Sequence, residues 1–124
     1  MNFKELKELY LSYNKITNIE VLEDVKFEKL EKLNLSNNDI SYRIYILKDV
    51  NFKELKELNL SSNHIGHIED LEKVKFEKLK ILNLEDNYIF NIRKLENVNF
   101  KELTELNLSS TNLTEIDVLE KVKF

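Results

Sequence analysis

Apolar residues recur along this chain in a pattern that changes period twice in every stretch of 24 or 25 residues. Leu-x-x-Leu-x-Leu gives a short alternation of period two, as a strand requires, and Ile-x-x-Ile-x-x-Leu-x-x-Val then gives a period of three, as a 3₁₀ or short helical segment requires. Phe3, Phe27, Phe52, Phe76, Phe100 and Phe124 mark the repeat. Between them Leu9, Leu33, Leu58, Leu82 and Leu106 form one column and Ile19, Ile44, Ile68, Ile92 and Ile116 another; Leu22, Leu47, Leu71, Leu95 and Leu119 form a third. The expected unit is a strand, a turn and a helical return. A single unit has no second layer on which to bury its row of leucines, whereas stacked units bury one another's rows into a continuous core. Parallel strands about 4.8 Å apart then line a concave side, and the returns form the convex side.

The segment Leu-x-x-Leu-x-Leu-x-x-Asn-x-Ile, repeated five times over essentially the whole chain, is similar to the leucine-rich-repeat signature. The tail Ile-x-x-Ile-x-x-Leu resembles the subclass found in phosphatase-regulatory subunits and bacterial internalins. The resemblance implies an α/β fold, a right-handed solenoid forming a horseshoe segment with five short strands. It also implies a protein-binding module or scaffold that recognises a partner protein on its concave sheet. The expected organisation is one domain, residues 1–124, with repeats at 3–26, 27–51, 52–75, 76–99 and 100–123.

Asn14, Asn38, Asn63 and Asn87 fall where each strand gives way to the turn. Their amides are expected inside the turn, bonded to backbone groups of their own and the neighbouring repeat that would otherwise be buried unpaired. The fifth repeat has Thr111 in this column and Asn112 one place later, so the ladder should weaken there. A second period is superposed on the first. Lys4-Glu5, Glu28-Lys29, Lys53-Glu54, Glu77-Lys78 and Lys101-Glu102 alternate in sign, as the residue before each Phe alternates between Asn and Lys, from Asn2 to Lys123. Opposite charges on neighbouring repeats help fix the stacking register, and the underlying unit is a double repeat of 48 or 49 residues.

Composition narrows the function. The 19 Lys and Arg against 23 Asp and Glu give a net charge of −4, without the basic excess that phosphate backbones demand. No apolar run reaches the length of a membrane span and the first residues lack signal-peptide order, so nucleic acid and membrane are not expected partners and the chain reads as cytoplasmic. With no Cys, one Gly and two His, thiolate chemistry, a Gly-rich phosphate loop and a hydrolytic triad have no residues to build on. No enzyme activity, cofactor or metal is expected. His64 and His67 read as solvated loop residues, because a zinc site needs at least three converging ligands.

Binding is then sought at positions the stacking leaves free. Asn34, Asn59 and Asn83 share a strand column with Tyr10; Tyr13 in the first repeat and Ile81, Glu85, Asp86 and Tyr88 in the fourth depart from an otherwise small, polar consensus. Tyr anchors with acidic neighbours are the kind of residue that carries interface energy, so these nine form the candidate protein-binding set. The second repeat holds one extra residue, in 41–46, expected to bulge the convex side and leave the strand unchanged; Tyr42, Arg43 and Tyr45 there form a secondary patch. Phe90 is expected to pack on its neighbours. The glycosylation signal Asn-x-Ser/Thr occurs at Asn34, Asn59, Asn107 and Asn112, three of them on the strand column. Glycans there would cover the binding face, which favours a cytoplasmic or bacterial setting. The chain shows no evident capping units. The alternative function is homotypic assembly, or membership of a longer repeat array, through uncapped ends.

Overall fold

The computed structural model describes residues 3–122 and 124; Asn2 and Lys123 of the alternating column lie outside them. Five strands form one sheet in chain order: β1 (Glu8–Tyr10), β2 (Lys32–Asn34), β3 (Glu57–Asn59), β4 (Ile81–Asn83) and β5 (Glu105–Asn107). Every neighbouring pair is parallel and in register, so Leu9, Leu33, Leu58, Leu82 and Leu106 stand directly opposite one another. The strands are three residues long because the central Leu must point inward while its two flanking residues point out.

All five returns are 3₁₀ segments: Glu20–Glu23, Ser41–Asp49, Ile68–Lys73, Ile92–Leu95 and Asp117–Glu120. Three residues per turn bring Ile44 and Leu47, or Ile68 and Leu71, to the same face, and these pairs are buried. The extra residue of the second repeat is absorbed in its return, which runs for nine residues, while the register of β2 with β3 stays unbroken.

The core is a set of rows running along the array. Leu30, Leu55 and Leu79, Leu35, Leu60 and Leu84, and Ile40, Ile65 and Ile89 are almost wholly buried. Phe52, Phe76 and Phe100 are buried at the strand-entry edge, and the Phe rings form a spine with centroids 6.0–6.4 Å apart from Phe3 to Phe76. The same columns open at the outer repeats. Leu6, Leu9, Leu11, Leu103, Leu106 and Leu108 are half-buried, and Ile116 is 63 % exposed. Each row residue is covered by a repeat on either side, and in the described chain the first and fifth repeats have a neighbour on one side. Ile116 and Leu119, expected in the core by their columns, are exposed while Val118 is buried in the same return; their counterparts in the first repeat, Ile19 and Leu22, are buried, so the fifth return presents a different face to the core.

The interior Asn column behaves as its position requires. Asn63 is wholly buried: its Nδ2 donates to the carbonyls of Leu60 and Ser61 in its own repeat and of Leu35 in the preceding one, and its Oδ1 accepts from Ile40 N. Asn38 and Asn87 repeat this arrangement. Asn14, in the outer repeat, bonds within its own turn. The Thr111 hydroxyl donates to Leu108 O at 2.6 Å, inside its own repeat, because its side chain is too short to span to the preceding one. The charge alternation is used within each double repeat: Lys29 pairs with Glu5 at 2.7 Å and Lys78 with Glu54 at 2.9 Å.

Candidate protein-binding surface

Because the central Leu of each strand points inward, the residues on both sides of it face the concave surface. Tyr10, Asn34, Asn59, Asn83 and Asn107 make one concave column, and Glu8, Lys32, Glu57, Ile81 and Glu105 the other. Both, Glu8 apart, line a shallow trough of about 170 Å³. Strand alternation places the second column, of which Ile81 alone is a candidate by its departure from consensus. It is an ion-pair ladder: Lys32 Nζ lies 3.7 Å from Glu8 and 3.6 Å from Glu57, whose carboxylates hold its ammonium above its ordinary pKa, Glu57 most strongly. Ile81 interrupts the ladder and leaves an apolar step between Glu57 and Glu105.

The Asn side chains of this face are partly committed to structure. Asn34, Asn59, Asn83 and Asn107 each accept, through Oδ1, the backbone N–H two residues on, at 2.9–3.0 Å. Such a bond stabilises the strand exit in the manner of an Asx turn. Tyr10 is 59 % exposed at the open end of the trough, and its hydroxyl donates to Glu8. Partial desolvation, followed by that hydrogen bond, holds its phenol above the usual pKa.

The nine candidate residues therefore do not form one site. Tyr10, Asn34, Asn59, Ile81 and Asn83 share the trough. Asp86 and Tyr88 lie at the strand-exit edge, around a separate depression of about 310 Å³ lined also by Asn37, Asn38, Ser62 and His64. Glu85 stands between the two, half-buried, near Asn107 Nδ2. Tyr13, 80 % exposed, belongs to neither lining.

The strand-exit edge has an unusual backbone. Tyr13, Asn37, Ser62, Asp86 and Ser110 occupy equivalent positions with φ between 53 and 57°, the left-handed region. A second left-handed residue follows at Ser41 and Phe90 in the second and fourth repeats, and at His64 and Asn112 in the third and fifth. The double-repeat period thus reaches the backbone from the second repeat to the fifth, while the first repeat has Tyr13 alone in this region. Asn, Asp and Ser tolerate this conformation, whereas it costs a bulky side chain about 1–2 kcal/mol. Phe90 adopts it with φ 57° while remaining 58 % exposed, so burial offsets little of that cost. Its ring stacks on Tyr88, which stacks on His64, with centroids 6.3 and 5.7 Å apart. His64 Nδ1 lies 3.1 Å from Asp39, and the Ser62 hydroxyl donates to Asp86 at 2.8 Å. The single glycine, Gly66, lets the Tyr88 backbone pass closely: a Cβ there would sit 3.3 Å from Tyr88 O.

On the convex side Arg43 lies over the Tyr42 ring at 4.8 Å and Lys48 over Tyr45 at 5.9 Å, so this patch satisfies its own cations. His67 pairs with Glu69, and among the described residues no group of three or more His, Cys, Asp or Glu converges on a metal-sized site. Among them, too, no helix is long and apolar enough to cross a membrane.

Comparison with known proteins agrees with this geometry. A family model for leucine-rich repeats in two copies matches residues 4–44, and a second leucine-rich-repeat model matches residues 54–67. No curated protein sequence matches the chain. The crystal structure of an internalin from Listeria monocytogenes (inlF) superimposes with a TM-score of 0.72 at 30% identity, covering 95% of this chain and 33% of that one. An internalin C2 from the same species aligns at 18% identity with a TM-score of 0.48, over 94% of this chain and 67% of that one. The chain thus spans about a third of the length of the first of these proteins. With inward Leu rows, an interior Asn ladder and matching family models, this chain is a leucine-rich-repeat protein whose repeats resemble those of the internalins.

Proposed function

We propose that this protein binds a partner protein on its concave sheet. Leucine-rich-repeat arrays are in general protein-interaction modules, and the observation that carries the finer reading is the trough itself. Its two outward columns lie outside the buried rows, and they present an exposed Tyr10, an apolar step at Ile81 and charges at Lys32, Glu57 and Glu105. At about 170 Å³ the trough is smaller than the 300–1,000 Å³ typical of small-molecule sites. A broad, shallow, amphipathic face of this kind suits a protein surface, with Tyr10 and Ile81 as anchors and the charges as its polar surround.

The test compares partner capture by the parent protein with capture by Tyr10→Ser/Ile81→Lys, using extract of the source organism and quantifying each captured protein. Losing an aromatic or aliphatic anchor should cost about 2 kcal/mol, or about thirtyfold in affinity. The convex variant Tyr42→Ser/Tyr45→Ser should capture as the parent does. Loss of capture by the convex variant, with the concave variant unaffected, would move the function to the other side of the array.

A further inference from the structure

We propose that the strand-exit edge of the third and fourth repeats is a second contact site, separate from the concave trough, and that it receives an arginine side chain presented by a partner protein. Four features of the edge converge on this ligand. Phe90 holds a strained left-handed backbone while its ring stays largely in solvent, so folding does not explain its presence; conformations of this kind persist where a surface is used. Its ring continues the row His64–Tyr88–Phe90, whose planes lie within 23° and 16° of one another. At centroid separations of 5.7 and 6.3 Å such rings are offset, which leaves part of each face uncovered for a cation.

Two carboxylates flank the row, and both are oriented: Asp86 by the Ser62 hydroxyl and Asp39 by His64 Nδ1. The depression is lined by Asn37, Asn38, Ser62, His64, Asp86 and Tyr88, with neither Lys nor Arg among them, so Asp86 shares it with no fixed cation of this chain; Asp39 lies outside the lining and reaches it through His64. This distinguishes it from the convex patch, where Arg43 and Lys48 already cover the Tyr rings. The space of about 310 Å³ admits one long side chain better than a folded element. A planar guanidinium can stack on a ring and fork to a carboxylate at once, which the point charge of a lysine cannot.

The probe is the blocked tripeptide Gly-Arg-Gly, titrated to millimolar concentration into the intact ¹⁵N-labelled protein and followed by NMR. Saturable shifts are expected at the amides of Asn37, Ser62, His64, Asp86 and Tyr88, with little change for the isosteric citrulline peptide and a weaker response to Gly-Lys-Gly. Asp86→Asn, which suits the left-handed position, and Phe90→Asn should each weaken binding about fivefold while the remaining spectrum is preserved. The proposal is overturned by an absent response, by equal shifts with citrulline, or by shifts centred on Asn34, Asn59 and Asn83. The last would place the cation in the trough and leave the concave reading standing.

Discussion

Asn63 and Asn59 sit four residues apart in one repeat and use the same side chain in opposite ways. Asn63 lies inside the turn with both ends of its amide spent on four backbone groups from two repeats. Asn59 lies on the concave face, half-buried, and spends its oxygen on Ser61 of its own strand exit. The first joins layers of the array and the second shapes one layer. A buried amide that bridges layers has no substitute in water, whereas a lost bond at the surface is replaced by solvent.

The hardest test of this contrast is isosteric. Asn63→Asp keeps the shape but removes both donors and directs a carboxylate at three backbone carbonyls; it should destabilise by about 4 kcal/mol or more, enough to unfold much of the protein. Asn59→Asp keeps the oxygen that Ser61 needs and should cost less than about 1 kcal/mol. Denaturant midpoints of the two variants at neutral pH decide the matter, and similar shifts would refute the division of roles. The truncations follow at smaller amplitude. Asn63→Ala should cost about 3 kcal/mol and Asn59→Ala about 1 kcal/mol, the latter comparable to removal of a helix cap.

The fifth repeat allows the contrast to be sharpened by gain. Thr111 stands in the bridging column but reaches only Leu108 O. Thr111→Asn should restore donation toward the carbonyls of Leu84 and Leu108 and an acceptor for the preceding repeat, raising stability by about 1 kcal/mol. No gain in melting temperature would show that the outermost layer does not need its bridge. At the strand-exit edge, Phe90→Asn relieves the left-handed strain, loses little burial and should leave stability unchanged or raise it by up to about 1 kcal/mol. A marked loss would mean that the aromatic row supports the fold.

These contrasts also divide what the sequence could and could not convey. The rows of Leu and Ile, the strand sites, the interior Asn column and the harmless insertion near Tyr42 were all legible, because a packed core forces one residue type at one spacing. The surface is not forced in that way. Strand alternation puts Glu8, Lys32, Glu57 and Glu105 on the concave face with Tyr10, but of that column only Ile81 departs from the charged consensus and so stands out in the sequence. The separation of Tyr88 and Asp86 from the trough depends on where the chain turns, and the turn is set by left-handed residues that here are Tyr, Asn, Ser, Asp, His and Phe. With a single glycine in the chain, the usual signal for such positions was missing.

The smallest expected effect belongs to the contacts between layers made in full view of solvent. Glu54 and Lys78 join the third and fourth repeats at 2.9 Å, as Glu5 and Lys29 join the first and second. The hydrogen bond from Lys78 holds the Glu54 carboxyl below its ordinary range, and the same bond raises Lys78. Because Glu54 is depressed on folding, its contribution is present above the unfolded carboxylate range and is lost as pH falls through its folded value. Lys78 is raised, so its contribution is present below the unfolded lysine range and is lost as pH rises through its folded value. The pair should therefore support register across a broad neutral plateau and fade at both ends. Exposed pairs of this kind are screened by salt and hold two flexible side chains in one geometry, so the net effect stays small. Glu54→Gln should lower the melting temperature less than Asn59→Ala does at pH 7 and low salt. The difference from the parent should vanish at 1 M NaCl and shrink as pH is taken down through the carboxylate range. A shift as large as that of Asn59→Ala, or one indifferent to salt, would mean that surface charge and not the interior amide ladder fixes how the repeats stack.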